Sequence, residues 1–191
     1  MHIRPATADD ASHLAQLINL AGEGLPAYLW LADCGDLAQV MNHGAERARR
    51  ESGGFSYRNA HILTLNGETA GMLLSYPLPS PYDAGNLADY PAVIRPIIEL
   101  ESLVPGTYYL NAIAVYAPFE GRGGGRLLMA TAEHLARELN HSHLSLIVAS
   151  ENKRARQLYT RLDYREAARR RAEPFPGTLH EGDWLLMIKD L

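Results

Sequence analysis

Apolar and polar positions alternate with two different periods along this chain, and the switches between them divide it into elements. Residues 2–4 read as a short strand. The stretch "TADD" then supplies a helix start, with Thr7 as cap and Asp10 three residues on. Ala11, Leu14, Leu17, Ile18 and Ala21 follow at helical spacing, and Gly22 and Gly24 end the run. A second helix is predicted over 36–51, with Leu37, Val40, Met41 and Ala45 on one face and the charge run "ERARRES" at its solvated end. "AHILTLNGETAGMLLSY" is a hairpin. Two β-rich runs flank Asn66-Gly67, a dipeptide that tolerates a tight primed turn.

Five prolines between Pro77 and Pro96 break the pattern and predict a long connection, with one short helix near 92–103. "TYYLNAIAV", 107–115, is a strand that runs into a glycine-rich turn. Residues 126–139 then read as a helix with Leu128, Ala132, Leu135 and Leu139 on one face. A buried strand at 144–149, a short helix at 152–162 and strands in "YREAARRR" and "DWLLMIKDL" complete the pattern, with "EPFPGTLHEG" as a loop between the last two. Strands interleaved with helices predict one α/β or α+β sheet. No internal repeat stands out.

Composition narrows the function classes. The chain has 191 residues with 47% hydrophobic and 21% charged, enough for one domain with a sizeable insertion. A net charge of −4 argues against a dedicated nucleic-acid binder. The single cysteine, Cys34, excludes an internal disulfide and a Cys-rich zinc site, and reads as a small buried hydrophobe. No apolar run is long enough for a membrane span, and "MHIRPATADD" has no signal-peptide pattern, so the expected compartment is the cytoplasm. His141 and His143 share a strand face in this reading, but no histidine spacing resembles a metal site.

The turn "EGRGGGR" carries chemistry. Backbone N–H groups at a helix start lack intrahelical partners, the helix dipole adds partial positive charge, and glycines let an anion approach. A P-loop requires Lys-Ser/Thr after its glycines, and none follows, which argues against an NTP-dependent phosphotransferase. The dinucleotide fingerprint requires glycine at Arg126 or Leu128 and fails at both.

The arrangement that fits is Val115, Glu120, Gly121, Gly123, Gly125 and Leu128, with a later segment of Asn152, Ala155, Leu158, Tyr159, Leu162, Asp163 and Tyr164. Both resemble motifs of the GCN5-related N-acetyltransferase (GNAT) superfamily, and "IRPATADDASHLAQL" and "DWLLMIKDL" resemble that family's ends. Glu120 departs from the family's usual Gln or Arg. The 24–55 and 77–106 regions match weakly, and in the family these regions shape the acceptor site.

The resemblance implies a mixed, mostly antiparallel sheet of about six to seven strands, in a single domain over 1–191 with an acceptor-side insertion at about 77–106. It implies acetyl transfer from acetyl-CoA to a primary amine by direct attack in a ternary complex, without a metal. The alternative is a CoA-binding or regulatory module that has lost catalysis.

Ile113, Ala114 and Val115 would meet the pantetheine arm, and Glu120, Gly121, Arg122, Gly123, Gly124, Gly125 and Arg126 the pyrophosphate, with Asn152 and Arg156 near the CoA arm. Arg122 and Arg126 are also ordinary solvated side chains, and Asn152 is also a helix N-cap. Tyr159 matches the general acid, though it also belongs to a stripe with Ala155, Leu158 and Leu162. Where many relatives place an acid, this chain has Asn111, which would orient a water. Glu101 is a candidate base, as are Glu99, Glu23 and His180. Tyr76, Tyr82, Tyr90, Tyr108 and Tyr109 suggest an aromatic-lined acceptor pocket suited to a cation, with ordinary packing the simpler reading. The acceptor is a small-molecule or protein amine in this reading, with no nucleic-acid or membrane partner, and a homodimer is expected by analogy.

Overall fold

A computed structural model describes residues 1–179 and 181–191. Among them are six α-helices and one seven-stranded sheet in the order β1-β2-β3-β4-β5-β7-β6. The strands are β1 (His2–Pro5), β2 (Ala60–Leu65), β3 (Glu68–Pro77), β4 (Tyr108–Val115), β5 (His143–Ala149), β6 (Arg165–Arg171) and β7 (Asp183–Asp190). The helices are α1 (Ala11–Ala21), α2 (Leu25–Cys34), α3 (Val40–Ala48), α4 (Arg95–Glu101), α5 (Gly124–Glu138) and α6 (Lys153–Arg161). The sheet is mostly antiparallel, with β4 and β5 parallel. The fold class read from the sequence is therefore the observed one. Two compact units divide the chain: Met1–Ser75 with Ala112–Ala132, and Tyr76–Asn111 with Glu133–Leu191.

In the first unit, β1 and β2 pair antiparallel, and Asn66 (φ 54°) and Gly67 (φ 86°) turn β2 into β3. Positive φ at both positions is what a primed turn demands. The Thr7 N–H and hydroxyl both donate to Asp10, which also receives a two-pronged bond from Arg4 at 2.7 and 2.8 Å. The guanidinium, with help from the Thr7 N–H, holds the Asp10 carboxyl down at about 2. The capping pair closes a 3-10 turn, Ala8–Asp10, that leads into α1.

Leu14, Leu17 and Ile18 of α1, Trp30 of α2, and Val40, Ala45 and Ala48 of α3 form the core with Ile62, Met72 and Leu74 of the strands. A Cβ at Gly44 would stand 2.5 Å from the Trp30 ring, so the glycine lets that indole lie directly on α3. Full burial of such a side chain contributes about 1.5–3 kcal/mol.

Helix α2 has no counterpart in the sequence reading. "LPAYLWLADC" is apolar almost all round, so it shows no contrast between faces. Its signals are Pro26 in the first turn and Gly35 (φ 70°) just past the end. The predicted face of the next helix is also corrected. Val40 and Ala45 are buried, but Leu37 lies in a preceding 3-10 turn and is 78% exposed, and Met41 is exposed too. Cys34 is only partly buried, and its thiol faces the Asp36 carbonyl at 3.4 Å.

In the second unit, β5 pairs with β7 along its whole length, from His143↔Asp190 to Ala149↔Trp184, and β6 covers the other edge of β7. Apolar runs in both β5 and β7 suit strands covered on two faces. The hydroxyls of Thr107 and Ser145 meet at 2.7 Å in the interior. Lys189 and Glu133 form a half-buried pair at 2.7 Å. Helix α4 lies against β6, with Arg170 bonded to Glu99 at 2.6 Å.

In α5 the buried stripe is Leu128, Met129, Ala132 and Ala136. Leu135 is only half-buried, and Leu139 lies beyond the helix, exposed. His141 precedes β5 and bonds the Gly106 carbonyl at 2.9 Å, while His143 faces Asp190, so the two share no face. No described helix is long and apolar enough to cross a membrane.

Candidate active site

The glycine turn belongs to the first unit. β4 ends at Val115, and the Tyr116 N–H donates to the Ala70 carbonyl of β3 at 2.8 Å, which fixes the exit of the strand. A 3-10 turn, Ala117–Phe119, leads to Glu120. Gly121 (φ 73°) and Gly123 (φ 87°) then adopt left-handed conformations that an L side chain rarely takes, and the space beside each is open. Leu127 N–H donates to the Gly123 carbonyl at 3.1 Å, which makes Gly123 the cap of α5. The N–H groups of Gly124, Gly125 and Arg126 therefore precede the first rung of the helix ladder.

Gly124 is buried for a different reason. A Cβ there would come within 2.8 Å of Leu63 and 3.5 Å of Val115, so the helix start lies directly on β2 and β4. Glu120, Arg122 and Arg126 are exposed, as are Gly121 and Gly123. The turn thus presents its backbone to solvent at the positive end of a fifteen-residue helix. A polyanion such as a pyrophosphate fits that surface. Ile113 and Val115 are half-buried on β4, and Ala114 between them is buried.

The later motif lies in the second unit. Asn152 caps α6, its side-chain oxygen accepting from the Ala155 N–H at 3.0 Å. Arg156 donates to the Ser150 carbonyl at 2.8 Å. Tyr159 is the buried residue of α6, and its ring lies 6.0 Å from that of Tyr164. Ala155, Leu158 and Leu162 around it are half-buried. Desolvation raises the Tyr159 phenol well above its usual range, so it keeps its proton at neutral pH.

The second unit also gathers an acid among tyrosines. Glu101 closes α4 and accepts a 2.6 Å hydrogen bond from the Tyr82 phenol and a second from Tyr109. Tyr76 stacks edge-on against Tyr109 with centroids 5.8 Å apart and bonds the Asn111 side chain. Burial pushes the Glu101 carboxyl up, and the two phenol hydrogen bonds only partly oppose it. Burial likewise raises Tyr76, Tyr82 and Tyr109, helped by the nearby Glu101 charge.

Of the other candidate bases, Glu99 is paired with Arg170, Glu23 sits at φ 52° in the turn after α1, and His180 lies outside the described residues. Of the five tyrosines singled out in the sequence, Tyr76, Tyr82 and Tyr109 join this group. Tyr108 instead packs against His141, and Tyr90 is exposed. Sequence reasoning gave Glu101 and the tyrosines separately and did not join them. Among the described residues no group of three or more His, Cys, Asp and Glu side chains is placed to hold a metal ion.

Comparison with known proteins follows the same lines. Residues 41–164, more than half of the chain, match the model of the Acetyltransferase (GNAT) family. Among solved structures, one described as an acetyltransferase superposes with a TM-score of 0.68 at 20% identity, covering 100% of this chain and 99% of that one. The ribosomal-protein-alanine N-acetyltransferase of Brucella melitensis gives a TM-score of 0.62 at 21% identity, with 100% of both chains covered. The polyamine N-acetyltransferase of Drosophila melanogaster, described as forming N-acetylagmatine, gives 0.68 at 15% identity, covering 100% of this chain and 99% of that one. No curated protein matches the sequence. With a family match across most of its motifs and the fold of those enzymes, the chain belongs to the Acetyltransferase (GNAT) family and is an N-acetyltransferase.

Proposed function

We propose that the chain transfers an acetyl group from acetyl-CoA to a primary amine by direct attack of that amine. The observation that carries this reading is the turn at Gly121 and Gly123, whose positive φ angles open a run of backbone N–H groups at the start of α5. Acetyl-CoA supplies the acetyl group already activated as a thioester. The N–H groups of Arg122, Gly123, Gly124, Gly125 and Arg126 bind its pyrophosphate, and the Arg122 and Arg126 side chains add positive charge. Glu120 contributes its backbone rather than its carboxylate.

The backbone of Ile113, Ala114 and Val115 takes the pantetheine arm as an added strand, and one of these N–H groups polarises the reacting carbonyl. Asn152 and Arg156 support the same arm from the start of α6. Tyr159 holds a proton and gives it to the departing sulfur, and the second proton that the nitrogen sheds on becoming the amide restores the phenol. A thiol has a pKa of about 8.5 in water, so a phenol with a higher one stays protonated until the thiolate forms. Both groups are desolvated together at that moment, which raises the proton affinity of the sulfur as well.

The amine arrives protonated, since an alkyl ammonium has a pKa of about 10. Glu101 takes that proton, directly or through a water oriented by Asn111. The acceptor is the amine of a small molecule or of a protein. Neither nucleic acid nor membrane enters the reaction, and two copies of the chain pair as a homodimer in this reading. The intact Tyr159 favours catalysis over a purely regulatory role.

Calorimetry tests the reading. Acetyl-CoA binds with a Kd at or below tens of micromolar if it is right, and absence of binding in that range contradicts it. Replacing Tyr159 by Phe lowers kcat while leaving that Kd within about twofold; a fully active variant would remove Tyr159 from the mechanism and leave the rest standing.

A further inference from the structure

Glu99 and Glu101 stand two residues apart on α4 and have opposite surroundings. Glu99 is neutralised by Arg170 at 2.6 Å. Glu101 meets no cation among the described residues. The groups beside it are phenols: Tyr82 of the long connection and Tyr109 of β4 bond it, and Tyr76 of β3, itself bonded to Asn111, lies near. Strands β6 and β7 also pack on α4, and β6 brings its Arg170 to Glu99. It also ends its helix, where the backbone dipole is negative. A desolvated carboxylate with no counter-charge is costly to keep, and two phenol hydrogen bonds offset only part of that cost. Such a group is stabilised by a positive ligand. Aromatic faces beside it add cation–π attraction, which grows when water is excluded.

The arrangement is also reachable. Tyr76, Tyr82, Glu101 and Asn111 are half-buried, and only Tyr109 beneath them is fully enclosed.

We propose that Tyr76, Tyr82, Tyr109 and Glu101 form the recognition subsite for the acceptor, and that the acceptor is an organic ammonium ion with no carboxylate beside its amine. This rests on the acetyl-transfer reading above and gives its substrate class. The ammonium R–NH3+ pairs with the Glu101 carboxylate between the phenol rings. One N–H proton passes to the carboxylate, leaving R–NH2 with its lone pair free and Glu101 as the neutral acid. Glu101 later returns that proton to solvent. An α-amino acid would bring a second negative charge to a group that holds no cation to receive it, so amino acids are rejected. Tyr82 is a positioning residue, because it acts on the amine by holding Glu101.

The test uses the full chain and two readouts. In the first, thiol release is measured with n-butylamine and 1,4-diaminobutane against alanine. We expect kcat/KM at least tenfold higher for the two carboxylate-free amines; alanine used equally well overturns the proposal. In the second, tetramethylammonium, which cannot be acetylated, is titrated by calorimetry without acetyl-CoA, with tert-butanol as its neutral counterpart. Tetramethylammonium binds and tert-butanol does not if the subsite exists. Glu101→Gln weakens that binding tenfold or more, and unchanged binding overturns the proposal.

Glu101→Gln removes a half-buried charge that has no counter-ion among the described residues, so it is expected to melt no lower than the parent protein at neutral pH. Tyr82→Phe raises KM for n-butylamine several-fold with kcat within about twofold, a split that a merely structural role would not produce. Failure of the parent reading looks different: no acetyl-CoA binding and no thiol release with any amine, whatever tetramethylammonium does.

Discussion

In the proposed reaction the glycine turn and the tyrosine–glutamate group solve opposite problems. The turn serves an anion chiefly with backbone, with Arg122 and Arg126 adding charge. The proposed acceptor subsite would serve a cation with side chains, drawn from four stretches between Tyr76 and Tyr109. Backbone sites need particular φ angles and close approach, so they depend on glycines at fixed spacing within one short segment. Side-chain sites need only that the right groups converge, and the fold brings them from anywhere. The first kind can be spelled in a line of sequence, and the second cannot.

That contrast can be broken by mutation. The largest effect is expected outside both regions' scaffolding, at the group proposed to protonate the leaving sulfur. Tyr159→Phe should lower kcat roughly 10²-fold, within the range for loss of a general acid, with acetyl-CoA affinity retained. A steady-state assay beside calorimetry separates the two.

Next comes a control on the first unit that touches neither region. The Arg4–Asp10 pair holds the Asp10 carboxyl at about 2, so its contribution is present above the ordinary carboxylate pKa of about 4 and is lost as pH falls from there towards 2. Asp10→Asn should cost about 2 kcal/mol at pH 7 and flatten that acid-side decline in a chemical-denaturation series, with little change in KM for either substrate.

Gly123→Ala addresses the turn itself. A Cβ at φ 87° costs about 1–2 kcal/mol or forces the turn to rearrange, so acetyl-CoA affinity should drop about tenfold while tetramethylammonium binding stays unchanged. If cation binding falls with it, the two regions are not separable as described. The smallest effect is at Glu120. With the anion held by backbone as proposed, Glu120→Gln should leave acetyl-CoA affinity within about twofold or improve it slightly. A large loss would give the side chain a role in a turn otherwise served by backbone.

The same contrast explains what could be read in advance. Asn66-Gly67 announced the hairpin because only a few dipeptides accept positive φ twice in succession. The α6 cap was legible in Asn152, since a side chain that accepts the Ala155 N–H lies next to it in sequence. Helix α2 was not, because an element without a polar face has no period to find; Pro26 and Gly35 were the marks that remained. Leu37 and Met41 misled the reading of α3, because an exposed leucine and a core leucine are the same letter. Glu101 was legible only as one acid among several. Its pairing with Tyr82 and Tyr109, and the absence of a partner like the one Arg170 gives Glu99, depend on tertiary structure.

The central claim is acetyl transfer from acetyl-CoA to an amine, and one measurement meets it directly. Purified protein is incubated with acetyl-CoA and n-butylamine, and free thiol and N-acetylbutylamine are quantified together over time. The account predicts that both rise one for one and that neither rises above background in Tyr159→Phe on the same time scale. Thiol release without the amide, or no release with any amine offered, would contradict it.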